Sequence, residues 1–151
     1  MFQLLAILAL LAADDLPEVT PKDDLVITRS CRIKPGTYVI PDAGEPGVLR
    51  IEGDDLIVDL TGVVLRGSKD GVAPDAFAGT GVIVTGSRNI IRRGALHGFK
   101  VGVRVDGGEG HWLMEIDVSR NFAQRLASTR EKEVATDWLW PHENDEGQWA
   151  K

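Results

Sequence analysis

The stretch from Asp137 to Trp149, DWLWPHENDEGQW, sets three of the chain's four tryptophans among carboxylates and one imidazole. Indole faces stack on the apolar faces of sugar rings, while carboxylates and imidazole bond hydroxyls or move protons. Trp138, Trp140 and Trp149 are therefore candidate substrate-binding residues. Asp137, Glu143 and Asp145 offer the acid and base that glycoside hydrolysis needs on either side of the scissile bond. His142 offers a base to remove the proton beside a uronate carboxylate, which opens a lyase or an epimerase reaction; arginine or a cation must then neutralise the charge. The same residues also admit a structural role. The last strand of a coiled sheet exposes apolar surface and unpaired edges, and a Trp-rich segment can cover them.

Other chemistry-bearing residues are sparser. His97, between Leu96 and Gly98, reads as a structural imidazole at a strand-to-turn position, and His111, after Gly107-Gly108-Glu109-Gly110, as an exposed turn. The three histidines have no close pair, so the spacing of a zinc site is absent and no metal ligand set is assigned. Asp54-Asp55, Asp70 and Asp75 could offer oxygen ligands to calcium, although aspartate beside glycine and proline is also a turn former. No other cofactor is implied. Cys31 is the single cysteine, which excludes a disulfide framework; it reads as a core position in an early strand. Arg88, Arg92 and Arg93 form the one tight basic cluster and read as outward-facing strand positions.

The elements that must position these groups are strands. Gly47-Val48-Leu49-Arg50-Ile51, Gly81-Val82-Ile83-Val84 and Gly102-Val103-Arg104-Val105 open on the same small-apolar phrase. The second and third lie about 21 residues apart, and the first precedes the second by about one such period plus an insertion, Ser68 to Thr80. Apolar residues alternate or come in short runs rich in Val and Ile, and no helical stripe is sustained between residues 25 and 122. Pro35-Gly36 before Thr37-Tyr38-Val39-Ile40 is a turn followed by a strand. Aligning Asp55-Leu56-Ile57-Val58 with Asn89-Ile90-Ile91-Arg92 superposes two coils, and Gly62, Gly94 and Gly98 fall where the path must bend. A period in the low twenties built from strands predicts a solenoid of stacked parallel strands.

The phrase Pro35-Gly36-Thr37-Tyr38, the run IVDLTGVVLRG from Ile57 to Gly67 and NIIRRGALHGFKVGVRV from Asn89 to Val105 resemble right-handed parallel β-helix proteins. They are similar to the pectin-lyase-like superfamily and its NosD-like periplasmic relatives. The resemblance spans residues 25–122 and implies an all-β, right-handed parallel β-helix, a short solenoid of about three to four coils. Such a scaffold hosts lyases, glycosidases, epimerases and binding proteins alike. The catalytic signatures of pectate lyases and polygalacturonases are absent from this chain. Pro141, His142 and Asp145 resemble part of the Asp-Pro-His-Asp phrase of alginate epimerases, with Trp140 in place of its first aspartate. A copper-handling role, which the NosD-like resemblance implies, finds no Met, His and Cys cluster.

The domain organisation follows: 1–13 a signal peptide or hydrophobic N-terminal segment, 14–24 a linker or N-terminal cap, 25–122 the parallel β-helix, and 123–151 an irregular, part-helical, Trp-rich tail. Phe2 to Ala13 is almost wholly apolar, too short to span a bilayer but long enough for the hydrophobic region of a leader, which predicts a secreted or periplasmic protein. The length suits one domain, and few coils with no capping pattern near Lys151 suggest part of a longer protein. A net charge of −6 disfavours nucleic acid and anionic membranes as partners. The expected function is binding or processing of polysaccharide, through uronate lyase or epimerase chemistry. The alternative is a non-catalytic carbohydrate-binding or structural β-solenoid. End-to-end self-association would hide the open strand edges.

Overall fold

The computed structural model describes residues 15–42, 44, 47–134 and 137. Eleven strands succeed one another: β1 Glu18–Val19, β2 Leu25–Ile27, β3 Cys31–Ile33, β4 Gly36–Val39, β5 Leu49–Ile51, β6 Ile57–Asp59, β7 Val63–Arg66, β8 Thr80–Val84, β9 Ile90–His97, β10 Val101–Val105 and β11 Trp112–Asp117. Every pairing between them is parallel. One sheet runs β1-β3-β6-β9-β7-β4, with β11 also on β9, and curls into a half-barrel. The other runs β10-β8-β5-β2. The described residues are thus mostly strand, with parallel sheets and almost no helix, and the strands return repeatedly to the same two sheets.

Columns of like side chains explain why this stacking holds. Leu25, Leu49, Val82 and Val103 are register partners in succession, as are Cys31, Val58, Ile91 and Leu113. Inner members of these columns are sealed (Leu49, Val58, Val82 and Ile91), whereas Leu113 at the end of its column is 48% exposed. Each buried aliphatic side chain contributes about 1.5–3 kcal/mol. Cys31 fills a core position as its context predicts, and burial pushes its thiol pKa up.

The bends use two devices. Leu60-Thr61-Gly62 separates β6 from β7, with Gly62 at φ 76°. One rung on, β9 runs unbroken for eight residues and turns the same corner at Arg93, φ 57°. In β11 the corner falls on Glu115, φ 54°, between Met114, which pairs with Arg92, and Ile116, which pairs with Gly94. Gly94 itself is therefore no bend. It is small because a Cβ there would lie 2.6 Å from the Cβ of Leu60.

The register corrects the alignment of the first two coils. Ile57 pairs with Ile90 and Val58 with Ile91, so the offset is 33, as it is for Leu56 and Asn89. The sequence alignment is one residue out, which would transpose the two faces of the strand. Asn89 decides the matter. Its Oδ1 accepts the Leu56 N–H at 2.9 Å, and its Nδ2 donates to the carbonyls of Gly53 (2.8 Å) and Thr85 (3.0 Å).

Of the tail expected to be part-helical, residues 123–134 carry neither helix nor strand and Asp137 is in 3₁₀ conformation; a further 3₁₀ turn spans Pro74–Ala76, inside the insertion. The Asp137 carboxylate accepts the backbone N–H groups of Ala127 (2.8 Å) and Ser128, and the Ser128 hydroxyl accepts from Val134 N at 2.8 Å. Such local side-chain bonds compete with helical ones for the same backbone groups. No helix among the described residues is long and apolar enough to cross a membrane.

Candidate functional site

The charged side chains of the larger sheet are arranged by its register. Asp59 on β6 has Arg32 of β3 on one side and Arg92 of β9 on the other. Its Oδ2 accepts from Arg92 Nε at 3.1 Å and Nη2 at 3.0 Å, and Arg32 Nη2 lies 3.8 Å away. Its Oδ1 accepts the Thr61 N–H at 2.9 Å and the Thr61 hydroxyl at 2.5 Å. Asp59 is fully buried and Arg92 is 2% exposed, so Arg92 is not the outward-facing residue that its neighbours suggest. Burial opposes ionisation of Asp59, yet the Thr61 bonds and then Arg92 outweigh it and hold the carboxyl below its ordinary pKa. Both groups are paired with each other and buried away from solvent.

The outer positions show the same rung-to-rung pairing. Asp55 receives Arg88 through both oxygens, at 2.7 and 2.8 Å, and Asp54 accepts the Ser87 N–H at 2.8 Å. The Arg88 bond draws the Asp55 pKa down. Arg93 Nε meets Glu115 at 3.3 Å, and Arg66 meets Asp70 at 2.5 Å, lowering the Asp70 pKa. Two aspartates raised above as calcium ligands, Asp55 and Asp70, thus hold guanidinium groups, and Asp75 lies in the 3₁₀ turn.

One arrangement has the form of an acid–base pair. His97, at the end of β9, places Nε2 at 3.0 Å from Oδ2 of Asp117 at the end of β11. The other oxygen of Asp117 accepts the Ser119 N–H at 2.9 Å. Ser119 first, and then His97, hold the Asp117 pKa down to about 2. Arg66 is the register partner of His97 on the next strand. A carboxylate-oriented imidazole with a guanidinium one strand away is a possible base beside an anion-neutralising group. The pair escapes a sequence reading because its members are 20 residues apart and belong to different rungs.

Asp137 is the one sequence-predicted site residue among the described residues. Its carboxylate accepts the backbone N–H groups of Ala127 and Ser128, and these bonds lower its pKa. Trp138, Trp140, His142, Glu143, Asp145 and Trp149 lie outside the described residues. The fourth tryptophan, Trp112 on β11, is 44% exposed beside Leu113. His111 does not project as a free turn residue: its Nδ1 accepts from Asn89 N at 3.4 Å, and its Nε2 lies 3.3 Å from the Gly107 carbonyl.

No family model, curated protein or solved structure matches this chain.

Proposed function

We propose that the chain is a short right-handed parallel β-helix of the pectin-lyase-like kind, exported, and that it binds polysaccharide without turning it over. The observation that carries the non-catalytic part is the pairing of charge. Among the described residues, Asp55, Asp59, Asp70, Glu115 and Asp117 are each held by a basic side chain from the sheet or its turns. A glycosidase needs two carboxyl groups free to face one bond, one of them protonated. The four bound to guanidinium groups, Asp55, Asp59, Asp70 and Glu115, suit neither task. Binding is supported by Trp112, which is 44% exposed on β11 and offers an apolar face for a sugar ring.

A second reading, uronate lyase or epimerase chemistry, is favoured by the His97–Asp117 geometry. There His97 would take the proton beside the carboxylate, and Arg66, exchanging Asp70 for the substrate, would neutralise that carboxylate. A glycan-array screen read in parallel for unsaturated-uronate absorbance separates a lyase from a binding module; an epimerase, which returns the proton, binds without new absorbance. Binding without new absorbance, weakened by Trp112→Ala and unchanged by His97→Ala, supports the binding module. Absorbance abolished by His97→Ala supports the lyase and overturns the non-catalytic reading. Silence in both channels overturns both.

A further inference from the structure

The last rung of the stack is open. β10 pairs with β8 alone and β11 with β9 alone, so among the described residues no strand covers the outer edge of either. Seven of the ten exposed large hydrophobic side chains among the described residues fall between Val101 and Leu126, in this rung and the chain that leaves it. Val103 and Leu113 end the two core columns. With Gly102, Ile116, Val118 and Asn121 they line an open recess of about 370 Å³. Trp112 and Leu113 are adjacent, so their side chains leave β11 on opposite faces. The recess is therefore separate from the indole and does not depend on the proposed function.

The charge of successive rungs indicates what covers this end. Residues 25–39, which carry β2 to β4, hold Arg29, Arg32 and Lys34 and no carboxylate. Residues 80–97, with β8 and β9, hold three arginines and no carboxylate. Between them, residues 49–66 have four carboxylates against two arginines. The open rung, residues 101–117, has four against Arg104 alone, and residues 15–24 around β1 have four against Lys22. In stacking order the net charges are −3, +3, −2, +3 and −3, with histidine neutral. Opposite charges meet between rungs: Arg32 and Arg92 both reach Asp59, Arg88 reaches Asp55, and Arg93 reaches Glu115. The acidic last rung has a basic neighbour on its inner side only. Its Glu115 and Asp117 side chains are 70% and 54% exposed. Asp59 shows that one carboxylate of this stack takes basic groups from both adjacent strands. A second copy stacked end to end would bring its own acidic 15–24 segment against this acidic rung, which is repulsive.

We propose that this end is a docking edge for an extended, basic segment of a partner protein, in which aliphatic residues alternate with lysine or arginine. The segment adds beside β11 as the next strand, held by main-chain hydrogen bonds along the free edge. Its aliphatic side chains enter the recess over Val103 and Leu113. Its basic side chains meet Glu115 and Asp117 from the open side, as Arg32 meets Asp59.

The test is fluorescence anisotropy of a short, dye-labelled peptide that alternates valine and lysine, titrated with the full chain at low and high salt. A valine–glutamate peptide of equal length is the comparison. Saturable binding is expected for the lysine peptide alone, and it should weaken as salt screens the pairs. Leu113→Lys puts like charge into the recess and should weaken binding about tenfold or more. Glu115→Gln should weaken it about twofold to fivefold. Val26→Lys, on β2 at the opposite end of the stack, is the control and should leave it unchanged. Successive N–H groups of a strand point to opposite sides, so one of the two alternately N-methylated forms of the peptide should fail to bind while the other binds. The proposal fails if no saturable binding is seen up to about 1 mM chain, or if the glutamate peptide binds as tightly. It fails equally if Leu113→Lys binds as the wild type does, or if both methylated forms bind. Sedimentation of the chain alone as an oligomer that Leu113→Lys dissociates would also overturn it, since a second copy then holds the end.

Discussion

Asp59→Ala isolates the strongest electrostatic commitment in the fold. The substitution removes a fully buried carboxylate and leaves the Arg92 guanidinium, 2% exposed, without its counter-ion. Breaking one side of a buried pair in this way costs about 3–5 kcal/mol. For a chain of this size that is a drop of roughly 6–20 °C in melting temperature, against a total stability of about 5–15 kcal/mol. The double variant Asp59→Leu, Arg92→Met removes both charges and refills the volume. It should recover to within about 1–2 kcal/mol of the wild type, since a buried pair is worth little against a well-packed apolar one. The readout is urea denaturation followed by far-ultraviolet circular dichroism. The sign with pH also follows. The folded carboxyl titrates below its unfolded value, so the stabilisation is complete above about pH 4 and is lost as pH falls through the lower, folded pKa. A loss below about 1 kcal/mol for Asp59→Ala, or a double variant worse than the single one, would refute the account of Asp59 as a buried, paired charge.

Asn89→Ala frees the Leu56 N–H and two carbonyls at once, so it should cost more than about 2 kcal/mol by the same denaturation assay. Gly94→Ala forces a Cβ to 2.6 Å from Leu60 and should cost about 1–3 kcal/mol. Asp117→Asn should flatten the acid limb of the stability curve between about pH 4 and 2. The wild-type group, with its pKa lowered to about 2, stabilises above the unfolded value and ceases to do so as pH falls through the folded one.

The parallel stack was legible because its signals are local and repeated. Pro35-Gly36 does precede β4, Gly62 does turn the chain, and the Val- and Ile-rich runs are the strands. What the sequence hid was register and pairing, which are long-range. Gly47 and Gly81 look equivalent, yet the strands align Leu49 with Val82, one residue off and at the same 33-residue offset at which Asn89 caps Leu56. Arg92 reads as a surface residue beside Arg93, but the left-handed backbone at Arg93 divides them. Arg92 faces Asp59 inside, and Arg93 faces Glu115 outside. The available signal was Asp59 itself, a lone charge in the apolar run Ile57-Val58-Asp59-Leu60, which demands a partner. A repeated Ser-Arg-Asn phrase at Ser87-Arg88-Asn89 and Ser119-Arg120-Asn121 marks the second such device. Asn121 bonds the Phe99 N–H and the Leu96 and Val118 carbonyls much as Asn89 does one rung earlier. Of the candidate site, only Asp137 lies among the described residues, where its carboxylate accepts the Ala127 and Ser128 N–H groups. His97 was legible as a histidine at a strand end, but its partner Asp117 comes from another rung.

The most direct test of the proposed function is a binding isotherm for the best oligosaccharide from the array, recorded on wild type and Trp112→Ala while uronate absorbance is followed in the same cell. The account predicts saturable binding with flat absorbance, and a Trp112→Ala isotherm weakened by about tenfold or more, the loss of roughly 1.4 kcal/mol of stacking on the indole. Rising absorbance, or an isotherm that Trp112→Ala leaves unchanged, would contradict it.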